Sequence, residues 1–216
     1  MSLEVDVRKL ELFNKISKEG SRKVADNLSM MTDMDAEIKI SKINVLDMED
    51  VRTHVGRDNA VGIYVQLVDA PGGYVVFLLD PDDSTRLAQS MLPEGMGGDE
   101  SEGFSDMERS AMQEIGNIMT SGYIDGWANV LDTSIDMGTP TFTYGPSHTI
   151  IEEMGGWPDD EIAFVIDSRI YAAGTDVDLT VYTFPELHEL VELVQKIDIE
   201  TDLDTDLEPD ESLTDN

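Results

Sequence analysis

Apolar residues recur at helical spacing from Val7 to about Met31, with Leu10, Phe13, Ile16, Val24 and Leu28 on one face, and this predicts an amphipathic helix. Ile38–Asp47 then reads as a strand. Two further runs rich in β-branched and aromatic residues, Val61–Asp69 and Tyr74–Leu79, predict strands joined by a turn at Ala70-Pro71-Gly72-Gly73. Pro81 opens a shorter helix to about Leu92, because proline is tolerated in a first helical turn.

Residues 93–104 are rich in glycine and offer little to pack, so they read as a linker. Ser105-x-x-Glu108 is a capping-box signal for a long helix reaching about Leu131. The order then repeats. A strand is expected over Ser134–Tyr144, followed by a short stretch at Thr149–Glu153 and a turn at Gly155-Gly156-Trp157-Pro158. Strands over Ile162–Ile170 and Val177–Thr183 and a helix opened by Pro185 complete the second half.

Gly62-Ile63-Tyr64-Val65 answers Ile162-Ala163-Phe164-Val165, and Pro81 answers Pro185, at an offset of about 100 residues. The expected organisation is therefore one domain over 1–197 built from two repeats, 7–92 and 105–197, around the 93–104 linker. Strands joined by tight turns rather than by helical crossovers indicate an α+β class, a pseudo-two-fold antiparallel sheet with long helices packed outside. Residues 198–216 carry nine acidic residues and no basic ones, a composition that buries too little apolar area to order itself, so an acidic, disordered tail is expected.

Composition narrows the function. Among 216 residues, 14 are Lys or Arg and 46 are Asp or Glu, a formal charge of −32 that repels nucleic-acid phosphates and anionic lipid. The acidic excess is spread along the chain, as expected of a protein working in a high-salt cytoplasm, where a Debye length of roughly 3 Å at 1 M screens self-repulsion. The absence of cysteine removes disulfide and thiolate chemistry. No stretch has the length and apolar character of a membrane span or a secretory leader, so a cytoplasmic protein without membrane insertion is expected.

The candidate chemistry lies on the long second-half helix. Ser110-x3-Glu114-x2-Asn117 places a hydroxyl, a carboxylate and a carboxamide along one stripe, and Pro140 follows Asn117 after 22 residues. On its own, such a stripe also suits an ordinary solvated helix face. Read with Glu114-Ile115-Gly116-Asn117-Ile118, it resembles the CheC, CheX and FliY family of phosphatases of the chemotaxis response regulator CheY. That family's pattern is Asp/Ser-x3-Glu-x2-Asn-x22-Pro, and all four fixed positions are met here. The resemblance extends over about residues 7 to 197.

The resemblance implies hydrolysis of the aspartyl phosphate of CheY, with Asn117 positioning a water and Glu114 pairing with a partner lysine. Ser110 falls at the edge of the contact, and Pro140 serves as a structural position. No cofactor of the protein's own is implied; Mg2+ is expected in the partner. The alternative that the family suggests is an adaptor that binds the receptor deamidase CheD, with little or no hydrolysis. A motor-switch role of the FliY kind is not expected.

In family members with two sites, each half carries the motif. Here the first-half positions fall on Glu11, Lys15, Lys18 and Ser41 at the same spacing, so one working site and one degenerate site are expected. Arg8, Lys9, Lys15, Lys18, Arg22 and Lys23 concentrate cations on the first helix, either as ordinary helix charge or as a patch for an acidic partner.

Other candidates fit surface or structural roles. His54, His148 and His188 lack metal-site spacing. Asp80-Pro81-Asp82-Asp83 reads as a helix start, and Gly155-Gly156 has neither a P-loop lysine nor a dinucleotide fingerprint. The methionines, including Met30-Met31, read as adaptable packing residues.

Overall fold

The computed structural model describes residues 10–32, 35–93, 104–155, 162–173 and 177–197. The elements run α1 (Leu10–Thr32), β1 (Asp35–Asp47), α2 (Met48–Val55), β2 (Asn59–Leu67), β3 (Gly73–Leu79) and α3 (Pro81–Met91). The second half follows as α4 (Asp106–Leu131), β4 (Thr141–Pro146), α5 (Ser147–Gly155), β5 (Ile162–Ala173), β6 (Val177–Phe184) and α6 (Leu187–Lys196). Each half thus reads helix, strand, helix, strand, strand, helix. The six strands form one antiparallel sheet in the order β1-β5-β6-β3-β2-β4. Exchanging the halves reverses this order, so a pseudo-two-fold axis passes between β3 and β6, where Phe77 pairs with Val181.

Alternation along the strands sends side chains to two cores. Val61, Ile63, Leu67, Val75, Phe77, Leu179 and Val181 meet α1, α4 and the two shorter helices α3 and α6 on one face. Ala60, Val76, Leu78, Val165, Tyr182 and Phe184 meet α2 and α5 on the other. The long helices bury residues in matching register: Phe13 with Met112, Ile16 with Ile115, Val24 with Tyr123 and Leu28 with Trp127 are counterparts, all buried. Of the core positions expected on α1, only the Leu10 side chain lies outside the described residues.

Close approach of the two long helices depends on small residues. A Cβ on Gly126 would meet the Glu19 carbonyl oxygen at 2.8 Å, and one on Gly20 would meet the Tyr123 ring at 2.8 Å. Asn27 of α1 closes the contact by donating from Nδ2 to the Ile118 carbonyl of α4 at 3.0 Å.

Two expectations require correction. The strand expected over Ser134–Tyr144 is ordered as a strand only from Thr141; before it, Met137 makes an isolated bridge to Leu67. Ile135 and Met137 alternate as strand residues do, but Pro140 has no amide to extend a ladder. The pattern also missed α2. Asp47 caps that helix by accepting from the Asp50 amide at 2.8 Å, and Met48 and Val51 are buried. Thr149–Glu153 lies within its counterpart, α5. Of the remaining expectations, residues 94–103, 156–158 and 198–216, as well as Arg8 and Lys9, lie outside the described residues.

Candidate functional site

The capping box starts α4 firmly and so fixes the phase of everything on it. Ser105 Oγ accepts from the Glu108 amide at 3.2 Å, while the Glu108 carboxylate accepts from the Ser105 amide at 2.9 Å. From this start, Met112, Ile115, Met119 and Tyr123 turn into the core, which leaves Ser110, Glu114 and Asn117 on the outer stripe. Gly116, between the last two, lies against β2: a Cβ there would overlap Cγ2 of Ile63. The helix therefore sits directly on the sheet at the level of the candidate residues.

Segment 137–140 returns alongside this stripe before entering β4. Its position is set by the Gly138 amide, which donates to the Gln66 carbonyl at 2.8 Å, and by the Val68 amide, which donates to the Asp136 carbonyl at 2.9 Å. Between α4 and this segment lies a cleft of about 570 Å³. Ser110, Gln113, Glu114 and Asn117 form one wall, and Met137, Gly138, Thr139 and Pro140 form the other. The four positions singled out in the sequence thus converge on one opening. Gln113 and Thr139 join them; sequence reasoning missed both because each looks like an ordinary exposed polar residue.

Within the cleft, Glu114 is exposed and Asn117 half-buried. Neither side chain has a hydrogen-bond or ion-pair partner among the described residues, so the carboxylate and the carboxamide are both available to a visitor. The backbone around them is tied down. Ser121 Oγ donates to the Asn117 carbonyl at 2.8 Å, Thr120 Oγ1 to the Gly116 carbonyl at 2.7 Å, and Ser110 Oγ to the Asp106 carbonyl at 2.8 Å. Deeper on the same helix, Tyr123 receives a 2.8 Å hydrogen bond from Thr183 Oγ1 of β6. Burial pushes its phenol up to about 12, against a smaller opposing effect of that hydrogen bond.

The first-half positions do not reproduce this site. Glu11, Lys15 and Lys18 are exposed on α1, so two cations stand where α4 presents a carboxylate and a carboxamide. Ser41 lies inside β1, opposite Ser168, whereas Pro140 lies just before β4; the Ser41 side chain lies outside the described residues. A serine supplies the amide that lets β1 run back to Asp35, which Pro140 denies to β4. Lys15 and Lys18 have no ion-pair partner among the described residues, while Arg22 is held by Glu19 at 2.8 Å and Asp26 at 3.1 Å.

The other candidates resolve into local structure. His54 meets Asp167 at 3.0 Å and His188 meets Glu192 at 3.4 Å, on different helices. Asp80 caps α3 by accepting from the Asp82 amide at 2.8 Å. Asp83 pairs with Arg86 and accepts from the Asp178 amide at 2.9 Å. No helix among the described residues is long and apolar enough to cross a membrane.

Residues 107–144 match the model of the CheC-like family, a stretch that contains Ser110, Glu114, Asn117 and Pro140. A relative from Halobacterium salinarum, a halophilic archaeon, bears the name "Putative CheY-P phosphatase CheC1". It is 41% identical over 199 residues, which span 91% of this chain and 100% of the relative. Among solved structures, Thermotoga maritima FliY aligns with a TM-score of 0.68 at 17% identity, covering 89% of this chain and 96% of that one. Chemotaxis protein CheX from Vibrio vulnificus aligns with a TM-score of 0.57 at 17% identity, covering 79% and 99% respectively. At that identity these two likenesses concern the fold alone.

Proposed function

The chain belongs to the CheC family of chemotaxis proteins, and on that premise we propose that it hydrolyses the aspartyl phosphate of the response regulator CheY. The observation that carries this reading is the convergence of Ser110, Glu114, Asn117 and Pro140 on one open cleft in which the Glu114 and Asn117 side chains have no partner among the described residues.

An acyl phosphate is reactive, so its hydrolysis depends more on an aligned water than on a strong base. The half-buried Asn117 carboxamide offers both an acceptor and donors, and it holds a water in line with phosphorus without a change of charge. Glu114, one turn earlier and more exposed, pairs with the lysine that response regulators keep beside the phosphate. That ion pair fixes the register in which Asn117 meets the phosphoryl group. Mg2+ stays in the partner's own acidic pocket, where it offsets charge on the phosphoryl oxygens. Ser110 borders the contact, and Pro140, just before β4, keeps that strand from starting earlier, where the cleft must stay open.

Positioning of this kind contributes on the order of 10² in rate, about 2.7 kcal/mol of barrier. Phosphate release from phosphorylated CheY, measured with the parental protein and with Glu114→Gln and Asn117→Ala, tests the assignment. Both variants are expected to lose most of the acceleration while melting like the parent.

The unengaged Lys15 and Lys18 favour a second, compatible role in which the first half binds another partner, such as CheD. Lys15→Glu with Lys18→Glu should abolish CheD binding; unchanged binding contradicts this role.

A further inference from the structure

The proposed reaction accounts for the polar cleft but not for the surface at its end. Residues 137–151 contain no Asp, Glu, Lys or Arg, the longest such run in a chain whose formal charge is −32. Much of that run is not core: β4 is an edge strand that pairs only with β2 in the sheet, and Tyr144 on it is 51% exposed. Five large apolar side chains are exposed among the described residues, and three of them, Val68, Met107 and Tyr144, lie here. Met107, 46% exposed, lies one turn before Ser110 on the same stripe of α4. Val68, 65% exposed, is bonded through its amide to Asp136, beside the Met137 that lines the cleft.

The patch is organised. Phe104 stacks edge-on against both Phe142 at 5.5 Å and Tyr144 at 6.0 Å, and the Arg109 guanidinium lies 5.2 Å from the Phe142 ring centre. Arg109 Nε donates to the Phe104 carbonyl at 3.2 Å, which holds the cation on the aromatic cluster next to Ser110. Phe142 lies two residues beyond Pro140, so the patch continues one wall of the cleft and Arg109 continues the other.

Aromatic residues, Met and Arg are the types enriched at protein interfaces, where acidic residues are depleted. In molar salt the Debye length falls to about 3 Å, so ionic contacts alone hold a partner weakly and apolar burial must carry docking. We propose that Met107, Arg109, Phe142 and Tyr144 form the docking surface for the body of the same phosphorylated response regulator, seating an apolar face of that protein beside its acidic phosphorylation pocket. Arg109 takes an acidic side chain of the regulator, and the absence of carboxylates from residues 137–151 admits a partner that is itself acidic. This inference rests on the phosphatase reading of the cleft, but it concerns affinity rather than chemistry.

The test uses the full chain and CheY activated with Mg2+ and beryllium fluoride, which mimics the phosphorylated state without being hydrolysed, in multimolar KCl. Met107→Glu with Tyr144→Asp should weaken binding by about tenfold or more, as expected for losing apolar anchors at an interface. Both positions are exposed, and an acid in the first turn of α4 suits the helix dipole, so the fold is retained. Arg109→Ala alone should weaken binding by a smaller factor. Val45→Asp, at an exposed apolar position on the opposite edge strand, serves as the control and should bind as the parent does. With phosphorylated CheY, the double variant should raise KM and leave kcat within about twofold, the pattern of lost uniform binding. Parental affinity in the double variant, or parental protein that does not bind activated CheY, overturns the docking surface. Binding that is sensitive to these variants, without any hydrolysis by the parent, supports the surface and rejects the phosphatase reading instead.

Discussion

Gly116 of α4 rests on Ile63 of β2 so closely that a single added methyl group would overlap Cγ2 of that side chain. The relationship joins the sheet to the site, because Asn117 is the next residue and its carbonyl already holds Ser121. Gly116→Ala must push the helix off the strand or force Ile63 from its rotamer, a cost of roughly 1–3 kcal/mol for overpacking. At 2–4 °C per kcal/mol for a chain of this size, the melting temperature should fall by roughly 2 to 12 °C. Pairing the change with Ile63→Ala removes the overlapping atom, so the double variant should be more stable than the sum of the single losses implies. Thermal melts of the four proteins measure the coupling.

High pH should destabilise the fold through two buried phenols. Burial pushes Tyr123 and Tyr182 up to about 12, whereas in the unfolded chain both ionise near 10. The unfolded state therefore loses protons first, and stability present below pH 10 is lost as the pH rises through about 12. Tyr123→Phe removes one of these groups, so the decline of stability with pH should be shallower, measured by urea unfolding between pH 9 and 12. At pH 7 the same variant should be less stable by about 1–2 kcal/mol, because Thr183 Oγ1 loses its acceptor in a buried place.

Salt should stabilise the protein. With a formal charge of −32, self-repulsion acts over a Debye length of about 8 Å at 0.15 M and only about 3 Å at 1 M. The melting temperature should climb by on the order of 10 °C between dilute buffer and 2 M KCl, equivalent to about 3–4 kcal/mol. A melting temperature that ignores KCl contradicts the reading of the acidic composition.

The sequence made the strongest local signals legible and concealed the weak ones. The Ser105 capping box, the helix start at Pro81 and the α1 and α4 periodicities all carry several mutually supporting residues, and each produces the element it predicts. The four motif positions were legible through their resemblance to the CheC, CheX and FliY pattern; helix phase alone groups Ser110, Glu114 and Asn117 but does not set them apart from a solvated helix face. By contrast, α2 has only Met48 and Val51 to bury, too few residues for a periodicity to stand out. The start of β4 was misplaced because Ile135 and Met137 alternate like strand residues while packing from a loop. Gln113, Thr139 and the aromatic patch were hidden for another reason. Their meaning depends on which segment crosses α4, a long-range fact that no local spacing contains.

The most direct measurement follows the decay of phosphorylated CheY in multimolar KCl with Mg2+, alone, with the parental protein and with Asn117→Ala. The account predicts decay accelerated on the order of 10²-fold by the parent and returned nearly to the unassisted rate by the variant, whose melting curve matches the parent's. Parental acceleration that survives in Asn117→Ala, or a folded parent that leaves the decay unchanged, contradicts it.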